Sequence, residues 1–179
     1  ATVAGGYQNA IRAGSIAAAI GGGYLNEIDD GNSGATIAGG LTNRIEANAD
    51  HSTIGGGVAN TISNDTSEAV IAGGNTNFIG ANSVAAVISG GTRNRILSSS
   101  GSTGIGGGWR NTIEEDAGVS VIAGGDACDA SSNAEYAVVG GSGGRGEGVD
   151  RAGGRGGIPG SWLDRLRHRA AGDAADPAA

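Results

Sequence analysis

The sequence is poor in the residues that most globular proteins use to build or cross-link a compact core. It has one cysteine, Cys128, so no internal disulfide can form. Aromatic residues make up 3% of the chain, which argues against a compact core built on large side chains. Only two prolines accompany the 38 glycines among 179 residues, so the glycine excess does not follow a collagen pattern.

Basic residues are also scarce along most of the chain. All 11 basic residues are Arg, and the formal net charge is −7. Residues 1–141 contain five Arg and 13 acidic residues, whereas residues 142–179 contain six Arg and five acidic residues. An acidic body argues against nucleic acid as the main partner and fits a solvent-facing surface. No apolar run approaches the ~20 residues that span a bilayer, and no signal peptide is recognised.

What the sequence has instead is an internal repeat with a strict 17-residue step. Two columns of β-branched aliphatic residues recur, the second eight positions after the first. The first isoleucine column comprises Val3, Ile20, Ile37, Ile54, Ile71, Ile88, Ile105, Ile122 and Val139. The second isoleucine column comprises Ile11, Ile28, Ile45, Ile62, Ile79, Ile96 and Ile113, and then Ala130. Isoleucine suits strands, and stacked units bury what one unit cannot, so we predict an all-β parallel β-solenoid of about eight coils over residues 1–141.

Glycine and asparagine columns lie between the two isoleucine columns. Two adjacent glycines follow the first isoleucine of each unit; they disfavour a helix by ~1 kcal/mol each and permit a sharp corner. The asparagine column comprises Asn9, Asn26, Asn43, Asn60, Asn77, Asn94 and Asn111, and Cys128 replaces it in the eighth unit. We predict that these amides form a ladder between coils and that asparagine favours a turn. Cys128 is interpreted as a tolerated small residue, with a reactive or intermolecular thiol as the alternative.

The outward positions that flank the first isoleucine column are never charged. The entry column, just before it, comprises Thr2, Ala19, Thr36, Thr53, Val70, Val87, Gly104, Val121 and Val138. The exit column, just after it, comprises Ala4, Gly21, Ala38, Gly55, Ala72, Ser89, Gly106, Ala123 and Gly140. A strand that is apolar or small on both faces is normally covered on both. We therefore predict that this face packs against another copy of the chain.

The spelling Ile-Gly-Gly-Gly-x-x-Asn-x-Ile resembles the head repeats of trimeric autotransporter adhesins, with good instances at residues 52–62 and 103–113. The resemblance covers residues 1–141. It implies a left-handed parallel β-roll and a side-by-side homotrimer at an extracellular or bacterial cell-surface location. It also implies a host or environmental surface ligand, either protein or glycan. The unit is longer than in those adhesins, which predicts a wider polar loop per coil, and no stalk or anchor is recognised in these residues.

The pattern favours a structural or adhesive surface rod, and we predict no catalytic, cofactor-binding or metal-binding residues. His51 and His168 are not placed as a pair, and Glu114, Glu115 and Asp116 are interpreted as solvated charges. A phage or virion fibre segment of the same fold is the alternative function. A carbohydrate-active β-helix enzyme is a third hypothesis; it needs a local cluster of acids on one face, which the strictness of the repeat disfavours.

The repeat fades near residue 141, so the last part of the chain is interpreted separately. Residues 142–160 are rich in glycine and arginine, which predicts a flexible linker, with an RNA-contacting segment as the alternative. Residues 161–179 are interpreted as a short helix, capped by Ser161, or a disordered tail.

Overall fold

The computed structural model describes residues 1–134, 136–141 and 145–146, and these residues form strands and turns but no helix. The strands are β1 (Thr2–Val3), β2 (Ala10–Ile11), β3 (Ala19–Ile20), β4 (Glu27–Ile28), β5 (Thr36–Ile37), β6 (Arg44–Ile45), β7 (Thr53–Ile54), β8 (Thr61–Ile62), β9 (Val70–Ile71), β10 (Phe78–Ile79), β11 (Val87–Ile88), β12 (Arg95–Ile96), β13 (Gly104–Ile105), β14 (Thr112–Ile113), β15 (Val121–Ile122), β16 (Asp129–Ala130), β17 (Val138–Val139) and β18 (Arg145–Gly146). The predicted all-β parallel solenoid with 17-residue coils is confirmed.

The strands form two parallel sheets that run the length of the rod. Sheet one contains the nine odd-numbered strands, and sheet two contains the nine even-numbered strands. Pairing is in register, since Ile20 lies beside Ile37 in sheet one and Ile28 lies beside Ile45 in sheet two. Isolated β-bridges between successive coils form a further column at the corner between the two sheets, here called the corner column: Tyr7, Tyr24, Leu41, Val58, Asn75, Thr92, Trp109 and Asp126. The left-handed sense of the coil stays a prediction.

The two isoleucine columns face each other across the interior. Their isoleucines from Ile20 to Ile113 are each at most 1% exposed. Fully burying a side chain of this size stabilises the fold by ~1.5–3 kcal/mol relative to exposure. Because every coil repeats the same two contributions, the core is a uniform stack rather than a single central cluster.

The second glycine of each pair lies where one coil approaches the next most closely. Gly57 has a φ of +88°, and a Cβ there would lie 2.2 Å from the carbonyl oxygen of Gly74 in the next coil. The equivalent distance is between 2.1 and 2.3 Å at Gly6, Gly23, Gly40, Gly74, Gly91 and Gly108. A side chain at this position would therefore separate the coils.

Each complete coil also turns at three residues that have left-handed backbone conformation and are mostly not glycine. In the third coil these are Thr42, Asn48 and His51, with φ of 54°, 56° and 56°. Each immediately precedes a buried, inward-facing residue. The left-handed residue is therefore the one before the asparagine, not the asparagine itself. The polar stretch that was expected as one wide loop forms two tight corners.

Sheet two continues beyond residue 141, where the repeat fades in the sequence. Arg145 pairs with Asp129 and Gly146 with Ala130, a step of 16 residues instead of 17. The one-residue shift hides this strand from a search for the strict period. The remaining residues of 142–160, and the helix or tail predicted for 161–179, lie outside the described residues. Within the described part, no helix is long and apolar enough to cross a membrane.

Candidate functional site

The asparagine column forms a hydrogen-bonded ladder inside the rod. Asn43 donates from Nδ2 to the carbonyls of Gly39 and Gly57, both at 3.0 Å. Its Oδ1 accepts the backbone N–H of Asn60 at 3.0 Å, and its Nδ2 lies 3.1 Å from Oδ1 of Asn26. The carbonyl and coil-to-coil contacts recur at Asn9, Asn26, Asn60, Asn77, Asn94 and Asn111. Each amide therefore joins its own corner to the next coil, and at Asn26, Asn43, Asn60 and Asn111 its Nδ2 also donates to Oδ1 of the preceding asparagine.

Cys128 occupies the place of asparagine in the eighth coil. Its backbone N–H donates to Oδ1 of Asn111 at 2.9 Å, and its Sγ lies 3.5 Å from the carbonyl oxygen of Gly124. A thiol offers one weak donor where an amide offers two donors and an acceptor. The side-chain ladder therefore ends here, and the 1% exposure of Cys128 fits a tolerated small residue.

A second internal ladder, built mainly from hydroxyl groups, was not predicted. Thr66 donates from Oγ1 to the carbonyl of Gly80 at 2.9 Å and accepts the N–H of Ser83 at 3.4 Å. Ser83 donates to the carbonyl of Leu97 at 3.0 Å and accepts the N–H of Ser100 at 3.2 Å. This hydroxyl column comprises Ser15, Asn32, Ala49, Thr66, Ser83, Ser100, Ala117 and Ala134, all buried. Its signal in the sequence is that it never holds a charged or large side chain in any of the eight coils.

The outer face of sheet two carries an ionic cluster across the first three coils. Arg12 donates from Nε to Glu27 at 2.5 Å and to Asp29 at 3.3 Å. Arg44 donates to Asp29 from Nη2 at 2.5 Å and from Nε at 3.0 Å. The hydrogen bond to Glu27 raises the pKa of Arg12 above its usual value, and the hydrogen bond to Asp29 raises the pKa of Arg44. Two acids of the second coil thus bridge arginines of the first and third coils.

Further along sheet two, the outer face still carries charge. The guanidinium of Arg95 lies 5.7 Å from the centroid of the Phe78 ring, within the range of a cation–π contact. Asp129 on β16 is a further charged residue of this sheet, and it is half-buried. Solvent suits such a face, because exposed charged groups need no partner surface to satisfy them.

The outer face of sheet one is different. Its entry and exit columns carry no charged residue, and all their members are exposed or half-buried. Val87, Val121 and Val138 are 38%, 43% and 77% exposed. An uncharged surface of this length is a candidate for contact with another molecule. The described residues contain no group of three or more His, Cys, Asp or Glu side chains placed to hold a metal ion.

Comparison with known proteins does not add a family to this description. No protein-family model matches the chain, and no curated protein sequence matches it. The fold is therefore assigned from the structure, and the likeness to adhesin heads rests on the spelling of the repeat in residues 1–141.

Proposed function

We propose that the chain is a structural and adhesive rod that associates side by side into a homotrimer, as the head-like segment of an extracellular or cell-surface adhesin. The observation that carries the proposal is the contrast between the two outer faces. Sheet two exposes charged residues that bind each other, whereas sheet one exposes only uncharged residues along every coil. An uncharged face such as that of sheet one is stabilised when another surface packs against it.

A second copy of the rod is the partner that fits the length of this face. Nine strands at ~4.8 Å spacing extend over about 40 Å. A partner that matches such a face coil for coil needs the same axial spacing, and another copy of this chain has it. The number of three copies and the left-handed coil come from the resemblance to adhesin heads.

Light scattering after size exclusion tests the assembly directly. We expect a particle of three times the chain mass of 17.2 kDa. A stable monomer over a wide concentration range would overturn self-association. A stable dimer would overturn the trimer.

The role of the assembled rod needs a separate experiment. We expect the trimer to bind surface-displayed proteins or glycans, and an array of matrix proteins and glycans would reveal the class. Genes for virion assembly on both sides of the coding sequence would instead support the fibre alternative. The proposal includes no catalysis, so release of sugars from polysaccharides by the purified chain would contradict it.

A further inference from the structure

Most of the exposed large apolar residues change column halfway along the rod. In the first four coils five of the seven lie on the corner column or next to it, just after sheet one, and are between 37% and 59% exposed: Tyr7, Tyr24, Leu25, Leu41 and Val58. From the fifth coil onward six of the seven lie on the entry column or at the corner before it, and are between 38% and 77% exposed: Val84, Val87, Val119, Val121, Tyr136 and Val138. Together these eleven residues define an oblique stripe that crosses sheet one.

Outside the oblique stripe, the entry and corner columns hold mainly small or polar residues. The entry column of the first four coils holds Thr2, Ala19, Thr36 and Thr53, and the corner column of the later coils holds Asn75, Thr92, Trp109 and Asp126. Trp109 does not fit this division: it lies on the corner column of the seventh coil and is 38% exposed, with the guanidinium of Arg110 at 3.8 Å from the centroid of its ring. Val3 and Ile16 are also exposed and lie off the stripe, and Ile16 occupies in the first coil the column that Val84 occupies in the fifth.

The exit column lies between the two halves of the oblique stripe, and its small residues favour the close approach of another chain. The exit column there consists of alanine, glycine and serine, and small residues in a sheet allow another backbone to come near. At the start of the stripe the rings of Tyr7 and Tyr24 are stacked, with centroids 5.4 Å apart and planes 7° apart. The two tyrosine rings at the start of the stripe therefore stack from one coil to the next.

We propose that a second copy of this chain docks along the oblique stripe, so that the copies wrap around one another instead of lying straight. This inference rests on the self-association proposed above. If two copies lay side by side without twisting, the same column of residues would form the contact at every coil. A contact that lies on one column in the first coils and on another column in the later coils is what wrapping produces, as in helices whose apolar repeat does not match the helix period.

A second copy is also the occupant that the dimensions favour. A contact about 40 Å long needs a width of only ~20 Å to reach the roughly 800 Å² per partner of a stable interface. Each half of the stripe covers about half of the rod, so the two halves are both needed for a contact of that size.

Two matched pairs of glutamate substitutions in the full chain test the oblique path. In the third coil Leu41 lies on the stripe and Thr36 lies off it; in the sixth coil Val87 lies on the stripe and Thr92 lies off it. We expect Leu41→Glu and Val87→Glu to weaken association at least tenfold, because each places a charge in the contact. Thr36→Glu and Thr92→Glu are expected to change it less than threefold. Sedimentation equilibrium measures association, and circular dichroism checks the fold.

The pattern of effects separates this inference from the proposed function. Dissociation by Thr36→Glu together with Val87→Glu would show a straight contact along the entry column. Dissociation by Leu41→Glu together with Thr92→Glu would show a straight contact along the corner column. Either result, equal effects of all four variants, or no effect of any, overturns the wrapped arrangement and leaves self-association standing. A monomeric wild-type chain overturns both. If a glutamate unfolds the chain, Leu41→Asn and Val87→Thr replace it.

Discussion

The two sheets of this rod are alike inside and unlike outside. Inside, Ile54 of sheet one and Ile62 of sheet two are both fully buried and belong to columns of the same residue. Outside, sheet two carries paired arginines and acids, whereas the entry and exit columns of sheet one carry none. The repeat constrains the interior because every coil must fit the next, and it leaves the exterior free to differ from one sheet to the other.

The largest expected effect comes from the glycine corner that follows sheet one. We expect Gly57→Ala to destabilise the fold by roughly 3–5 kcal/mol, because it combines a left-handed alanine with a clash against the next coil. Gly118→Ala is the control, since a Cβ at Gly118 meets nothing within 4 Å, and it should change stability by less than ~0.5 kcal/mol. Denaturant unfolding measures both. Equal losses would contradict the close approach described at this corner.

The likeness of the two interiors can be tested in one coil. Ile54→Ala in sheet one and Ile62→Ala in sheet two should each cost about 2–5 kcal/mol, because each leaves a cavity in the stack. We expect the two losses to agree within ~1 kcal/mol. A much smaller loss for one sheet, measured by the same unfolding experiment, would show that the two columns do not contribute equally.

The difference between the two exteriors can be tested with one substitution on each sheet. Val121→Lys buries an unpaired charge in the proposed contact, which costs ~3–5 kcal/mol and weakens association about a hundredfold or more. Thr112→Lys places the same charge on the outer face of sheet two and should leave the assembly intact. Light scattering measures the mass of each variant. An intact assembly for Val121→Lys would show that this part of sheet one is not covered.

The asparagine ladder lies at the corner between the two sheets and is expected to contribute less than the core. Asn60→Ala removes hydrogen bonds to the carbonyls of Gly56 and Gly74 and the acceptor for Asn77. We expect a loss of about 1–3 kcal/mol, because the groups left behind are partly or fully buried. The exposed Asn64 is the control, and Asn64→Ala should change the free energy of unfolding by less than ~0.5 kcal/mol.

The smallest effect should come from the ionic cluster on sheet two. Arg44→Gln is expected to cost less than ~1 kcal/mol, because the arginine side chain is 47% exposed and solvent screens its ion pairs. The difference between wild type and variant should shrink in high salt. A thermal melt at low and high salt checks this, and a large salt-independent loss would show that Arg44 acts mainly through packing.

Much of the fold could be predicted because a column in the sequence is also a column in space. Ile28 stacks on Ile45 and Asn43 bonds to Asn60, so the 17-residue step shows which residues meet. The hydroxyl column was missed because the residue types of Thr66 and Ser83 occur both buried and solvated. Only the lack of charged or large side chains over all eight coils distinguishes this column in the sequence.

The ionic cluster and the oblique stripe were also beyond the sequence. Arg12 and Asp29 are 17 residues apart, but pairing depends on both side chains pointing outward from sheet two. The exposed apolar residues looked scattered until the corner and entry columns were placed on either side of sheet one. The end of sheet two was missed because a single 16-residue step breaks the period.

The sequence by itself determined the length of the coil, the two isoleucine columns and the uncharged face, because stacked identical units need only the period to specify their contacts. The tertiary structure alone decided how the polar half of each coil turns. Thr42 and His51 have left-handed backbone while their N–H groups donate to Tyr24 at 2.9 Å and Ser33 at 2.8 Å in the preceding coil. A β-branched residue such as Thr42 does not favour that conformation, so the hydrogen bonds between coils impose it there, and such bonds thereby select which polar residues are buried and which apolar residues face solvent.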